Sequence, residues 1–344
     1  MATVIPLRNC PVLRTSGRRR QPVGGPRDMA PGLTDAPACK PASGTGLAIG
    51  RAGRHHGEIL QGLWWPQSQA ATHPVPCLVT LPVADAGSEA HFRLAPGRQI
   101  EVHPAGKVKS ARAARLALDA LGATATGGVL RLHSPIPTGL GMGSSTSDVL
   151  ATLRAVYAAC GARADSALLA ELAVRAEVAS DPLMFDSVVL FAQREGRVLE
   201  HWGHWMPEFL VLSIDTDPRS GGRDTLTLPV PGDDMRARYT ELVERARAAF
   251  RSRDAGEIAT VATHSAELHQ ITAPMRGFNS LCALAAARDA LGLQISHSGT
   301  IAGMLFHPET DPADLTPLIC QAQELHMAPM GMFRTGRGTS CDST

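Results

Sequence analysis

Residues 137–148 read Pro137-Thr138-Gly139-Leu140-Gly141-Met142-Gly143-Ser144-Ser145-Thr146-Ser147-Asp148, and the rest of the 344-residue chain is understood outward from them. Three glycines at alternate positions let the backbone turn tightly and approach a ligand with no Cβ in the way. The hydroxyl run stands where a helix to about Ala159 begins, so Ser144, Ser145 or Thr146 can cap that helix or face a ligand. Unpaired N–H groups and the positive end of the helix dipole meet there, which suits a polyphosphate. A P-loop is excluded, because Gly-Lys-Ser/Thr is missing and the chain's lysines are Lys40, Lys107 and Lys109 alone. The spacing is G-x-G-x-G rather than the dinucleotide G-x-G-x-x-G. A serine hydrolase elbow would need a second glycine after Ser144 or Ser145. A glycine-rich turn that merely caps a helix stays open on these residues alone.

Upstream, Gly128 to Leu132 reads as a strand, and Ala111, Ala114, Leu118 and Leu121 mark one face of a helix stopped by Gly122. Cys77 to Val83 and Ala90 to Leu94 read as two strands. Downstream, a helix near 165–178 starts at Asp165 or Ser166 and carries a Glu171/Arg175 pair. Phe209 to Ile214 is a buried strand, 234–250, 254–270, 278–291 and 311–326 are helical, and Gln294 to Phe306 is glycine-punctuated. Strands and helices interleave without a regular βαβ alternation, so α+β in two layers is expected rather than a doubly wound parallel sheet. Residues 1–45, with Arg18-Arg19-Arg20 and many Pro and Gly, are expected to be a disordered leader, and 334–344 a flexible tail.

A formal charge of +1 excludes a general polyanion binder, and 44% hydrophobic with 19% charged residues is globular composition. No apolar run spans a membrane or forms an export signal, so a cytoplasmic location is expected. The seven scattered cysteines read as reduced thiols.

Pro137 through Thr146 resembles the second motif of the GHMP kinases, and Ile136 through Asp148 looks most like the L-threonine kinases of cobalamin biosynthesis. His56-Gly57-Glu58-Ile59-Leu60-Gln61-Gly62 resembles their first motif, and Ser296 through Leu305 their third. Ala176 through Asp186 is similar to the Glu-Pro-Thr-Asp-x-x-Met-Phe stretch between them. The chain departs from the pattern at His55-His56, where a small residue and Cys are usual, and at Thr138-Gly139-Leu140, where threonine kinases commonly carry Ala-Lys.

The resemblance implies the GHMP kinase fold, with a ribosomal-protein-S5-like ATP-binding part over 46–200 and a ferredoxin-like part over 201–333. It implies an ATP- and Mg²⁺-dependent phosphotransferase acting on the hydroxyl of L-threonine or a similar β-hydroxy amino acid. Pro137, Gly139, Leu140, Gly141, Met142, Gly143, Ser144, Ser145, Thr146 and Lys107 would then hold ATP, with Lys109 the other ammonium group in reach. Ser144 or Ser145 with Glu177 would hold the metal. Asp181 or Asp186 would position the acceptor hydroxyl, with Ser145 beside them. His56, Glu58, Gln61, Gly62, Ser298, Gly299 and Thr300 would line the substrate. A zinc site at His55-His56-Gly57-Glu58 is disfavoured because the H-E-x-x-H spacing is absent. The implied partners are ATP, a small hydroxylated substrate and a second copy of the chain as a homodimer, with no nucleic acid and no membrane. A kinase of another small alcohol, such as homoserine, serine or a specialised metabolite, and a non-catalytic nucleotide-binding protein remain the alternatives.

Overall fold

The structure, a computed structural model, describes residues 47–66, 73–220 and 235–336. The expected leader, most of the expected tail, Lys40, Cys10, Cys39 and Cys341 lie outside these residues. Cys77, Cys282 and Cys320 are free thiols, as expected.

Two long strands dominate. β1 (Leu47–Trp64) pairs antiparallel with β2 (Val75–Pro96), from Leu47 opposite Arg93 to Trp64 opposite Val75. The two short strands expected at 77–83 and 90–94 are thus one element, carried through the polar stretch between them by the β1 ladder. The register of β1 shifts between Gly53 and Arg54, His55 and Glu58, and Glu58 and Leu60. Such bulges re-aim side chains next to sites, and here they fall on the first motif.

The remaining strands are β3 (Ile100–His103), β4 (Thr126–His133), β5 (Val188–Ala192), β6 (Arg197–Gly203), β7 (Leu210–Asp215), β8 (Gly292–Ile295), β9 (Ile301–Phe306) and β10 (Ala328–Arg334). They form one sheet in the order β10-β7-β9-β8-β1-β2-β4-β3, with β5 attached to β2 and β6 to β5. Only β3 and β4 run parallel among the described pairs, so the architecture is two-layer α+β.

The helices are α1 (Val108–Ala120), α2 (Ser144–Ala159), α3 (Ser166–Glu177), α4 (Arg236–Ser252), α5 (Ala255–His269), α6 (Phe278–Ala286) and α7 (Thr316–Glu324). Gly122 ends α1 at φ 71°, and Asp165 caps α3 by accepting the Leu168 N–H at 2.8 Å. α6 is shorter than the 278–291 span expected. Asp289 takes a left-handed φ of 52° and the Ala290 N–H reaches back to the Ala285 carbonyl, a stop made without glycine. The helix expected at 311–326 opens as a 3-10 turn at Pro312–Leu315. Order also continues past 334: Thr335 is buried, donating to the Pro207 carbonyl and accepting the Phe209 N–H.

Three apolar cores flank the sheet. Phe92, Leu130 and Phe191 pack with Leu118, Leu150, Leu153 and Leu172 of α1–α3. Ile59, Leu81, Phe209 and Val211 pack with Leu242, Val243 and Val261 of α4 and α5, with Trp64 and Trp65 against them. Leu212, Ile295 and Met304 pack with Leu281 of α6 and Leu318 of α7. Each such side chain contributes about 1.5–3 kcal/mol by leaving water. Among the described residues no helix is long and apolar enough to cross a membrane.

α2 lies directly on β1 because Gly50 has no side chain: a Cβ there would sit 2.2 Å from the Ala151 carbonyl oxygen and 2.4 Å from the Ala155 nitrogen. Gly50→Ala must therefore push the helix off the strand. The expected cost is about 1–3 kcal/mol, read as a lower urea midpoint at unchanged slope.

Candidate active site

Gly139, Gly141 and Gly143 all take positive φ, 81°, 82° and 73°, and wind the chain into the first turn of α2. Gly143 is the N-cap residue, so no side chain caps this helix and the serine hydroxyls are free for other work. The first N–H groups of α2 have no partner within the helix, so they and the dipole suit an anion. The two large residues of the loop have a packing role: Met142, with Leu140 against it, packs with Ile136 and Ile301 and pins the loop over β9. The Leu140 carbonyl accepts the Ile301 N–H at 3.1 Å, joining the second motif to the third.

The loop borders a cavity of about 400 Å³, a size suited to a small ligand. Glu177, at the end of α3, faces it with one oxygen taking the Ser145 hydroxyl at 2.6 Å and the other the Thr146 hydroxyl at 2.9 Å. Lys109 Nζ lies 3.1 Å from Ser145 Oγ and 3.8 Å from Glu177. Burial pushes Glu177 up to about 7; Asp181 adds to the rise, and Ser145, Lys109 and Thr146 oppose it.

Asp181 also lines the cavity; the Thr146 hydroxyl that reaches Glu177 lies 3.0 Å from its Oδ2 as well, and His55 Nε2 lies 3.0 Å from the same oxygen. Burial pulls it upward, but His55 first, with Thr146 and His297, together hold Asp181 below the ordinary carboxylate range. His55 is buried and turns Nδ1 to the Gly57 carbonyl at 3.3 Å, with Glu58 3.6 Å away. Burial opposes its charge, yet Asp181 and Glu58 raise it to about 9. Burial lifts Glu58 to about 8 despite His55, and its Oε2 has no partner. The donor atoms of His55, Glu58 and Asp181 lie within 4.8 Å of one another. Glu58 and Asp181 nonetheless meet different ring nitrogens, the geometry of a bridging imidazole rather than of ligands converging on one ion.

Of the residues singled out in the sequence, the structure brings Pro137, Gly139, Gly141 to Thr146, Glu58, Glu177, Asp181 and Ser298 to this cavity. Leu140 instead packs beneath the loop. Lys107 is bound to Asp148, 2.5 Å away, and Ser88 holds the other oxygen of that carboxylate, so Lys109 is the ammonium at the cavity. Asp186 is exposed and away from the cavity; its carbonyl faces His204. His56 is wholly buried, bonded to Ser213 and Gln294 and stacked on Phe333 at 4.9 Å. Burial, with Arg54 and His55 nearby, drops it to about 3. Gln61 stands one layer back, holding His297 Nδ1 at 2.8 Å. Gly62 makes room for Tyr239, Gly299 lies against the loop near Gly141, and the Thr300 carbonyl takes the Thr216 N–H. Missed from the predicted site set were His55, Ala179, Ser180, Gln193 and His297. The doubled His55-His56 in place of a small residue and Cys marked the first, and Ala179, Ser180 and His297 fall inside motif stretches, whereas nothing in the local pattern marked Gln193.

Residues 108–186, from the start of α1 through Asp186, match the family model described as GHMP kinases N terminal domain. Over that stretch the chain is similar to a GHMP kinase N-terminal domain. Two curated relatives, L-threonine kinases of Citrobacter freundii and Salmonella typhimurium, are 28% and 29% identical over 179 and 180 residues. Each match covers 51% of this chain and 60% or 58% of the relative, so the chain spans less than two thirds of their length. Among solved structures, homoserine kinase from Cytophaga hutchinsonii superposes with a TM-score of 0.63 at 15% identity, covering 86% of this chain and 96% of that one. Mevalonate pyrophosphate decarboxylase from Streptococcus pyogenes gives 0.59 at 11% identity, over 87% and 98%. These likenesses carry the GHMP kinase fold and stop there, since chains of different named activity share it.

Within the matched stretch the buried Glu177 is a stability cost. Its folded pKa of about 7 exceeds the ordinary 4.5, so holding it ionised disfavours the folded state, fully above about pH 7 and not at all below about pH 4.5. Glu177→Gln should raise ligand-free stability at pH 8 by about 1–3 kcal/mol, and the gain should vanish by pH 4.5 in paired urea melts.

Proposed function

We propose that the chain transfers the γ-phosphoryl group of ATP to the side-chain hydroxyl of L-threonine or a closely similar β-hydroxy amino acid. The observation that carries this reading is one cavity bordered both by the uncapped N-terminus of α2 and by two carboxylates, the buried Glu58 and the part-buried Asp181. Phosphoryl transfer asks the protein chiefly for charge neutralisation and positioning. The loop amides of Gly141 to Ser145 and Lys109 receive the phosphates. Asp181 holds the acceptor hydroxyl and takes its proton as the new O–P bond forms and ADP departs.

Mg²⁺ fits the residues present: Ser145 and Glu177 offer hard oxygen donors side by side, and Glu177 is a buried carboxylate short of positive charge. Bound there, it would neutralise charge on the phosphates.

An amino acid as acceptor is supported by Glu58, whose Oε2 is buried without a partner. An ammonium group docking on it satisfies that oxygen and supplies the countercharge that burial withholds. The curated relatives named L-threonine kinase support the same choice. Homoserine, serine and other small alcohols are the competing acceptors.

ADP release measured with L-threonine, L-serine, L-homoserine and sugars tests the reading; absence of acceptor-dependent turnover with all of them removes it. Glu58→Gln should raise the KM for the amino acid at least about tenfold, as expected for a lost charged hydrogen bond, while leaving the KM for ATP unchanged. Ser145→Ala should lower kcat far more than it lowers the melting temperature, since a cavity hydroxyl contributes little to the cores.

A further inference from the structure

Three histidines surround the cavity or its walls, and their partners assign their protonation differently. His297 has a Gln61 carbonyl oxygen at Nδ1 and a Gln193 amide nitrogen at Nε2, so one nitrogen donates and the other accepts. His56 likewise meets the Gln294 amide and the Ser213 hydroxyl, a neutral ring's partners. His55 differs: Nδ1 faces the Gly57 backbone carbonyl and Nε2 the Asp181 carboxylate. The carbonyl only accepts, an ionised Asp181 only accepts, and neither changes role by an amide flip, so beside an ionised Asp181 both ring nitrogens carry hydrogen.

The ring's place is as specific as its charge. A Cβ on Gly143 would lie 2.3 Å from His55 Cδ2, so the imidazole rests against the residue that opens the first turn of α2. The register shifts of β1 on either side of His55 and Glu58 place both at the cavity, while His56 turns to Ser213. The ionisable groups around the ring are Asp181 from the segment after α3, and Glu58 and the neutral His56 from β1. His297 and Glu177 lie beyond Asp181.

We propose that His55 is a positioning residue for the transfer: a fixed imidazolium that keeps Asp181 ionised and aimed at the acceptor hydroxyl, and that places a buried positive charge beneath the phosphate loop at Gly143. The inference rests on the phosphotransfer reading and deepens it. Asp181 otherwise sits in a site where burial favours its protonated form, and a protonated Asp181 cannot take the hydroxyl proton. The elevation of His55 to about 9 is in line with the same partners. The substitution of His55-His56 for the small residue and Cys of related first motifs thus has a physical role at its first position.

Two measurements test this. In full-length protein labelled with ¹⁵N-histidine, the His55 ring, assigned by its absence in His55→Gln, should show both nitrogens protonated at pH 8, where His56 and His297 are neutral. A neutral His55 at that pH overturns the proposal, whatever the protein's activity. In kinetics with the accepted amino acid, His55→Gln keeps a donor but loses the charge. Its kcat should fall about 10²-fold with the KM for ATP little changed. The acid limb of kcat should move to higher pH, because Asp181 loses the charge that holds its pKa down. A variant whose acid limb stays in place, with circular dichroism matching the parent, overturns the positioning role. Wild-type protein inert with every acceptor removes the phosphotransfer reading instead, and the ring's charge is still read independently by the spectrum.

Discussion

A helix that begins without a side-chain cap leaves its first N–H groups with nowhere to go, and this site is organised around that deficit at α2. Gly143, in left-handed conformation, replaces the Ser or Asp that would have satisfied those groups. The following hydroxyls then turn outward: Ser145 donates to Glu177, and the single Thr146 hydroxyl lies within hydrogen-bond reach of both Glu177 and Asp181. The positive pole of the helix and these two carboxylates thereby border a single cavity. An apo protein holds this arrangement at some cost in stability, which ligands carrying phosphate, metal and ammonium would relieve.

The fold keeps the arrangement in register through direct backbone contact. Gly50 seats α2 on β1, Met142 and Leu140 press the loop onto β9, and the bulges of β1 turn His55 and Glu58 to the cavity. Elements far apart in the chain therefore meet within a few ångströms: β1, the loop before α2, the end of α3 and the segment before β9.

Much of this was legible from local pattern. The α1, α2 and α3 spans and the Asp165 cap follow from apolar period and turn chemistry, and the glycine run marks the loop because few other residues tolerate its φ values. The long β1 strand was not legible: His55-His56-Gly57-Glu58 is polar and bulged, and such a segment becomes a strand only when β2 and β8 pair with it. β10 and the stop of α6 at Asp289 were hidden for the same reason, since sheet pairing and a non-glycine left-handed residue leave little local signal.

The sequence by itself determined the residue types of the site: a glycine loop opening a helix, a following hydroxyl run, and acidic residues at 58, 177 and 181. Tertiary structure decided which of them share a cavity. Lys109 and not Lys107 reaches it, because Asp148 and Ser88 engage Lys107's side of α2. Asp181 and not Asp186 reaches it, the turns after α3 leaving Asp186 exposed, and His55 and not His56 reaches it because successive positions on a strand point to different sides. Charge and proximity are properties of side chains brought together by packing, and no spacing along one chain segment encodes them.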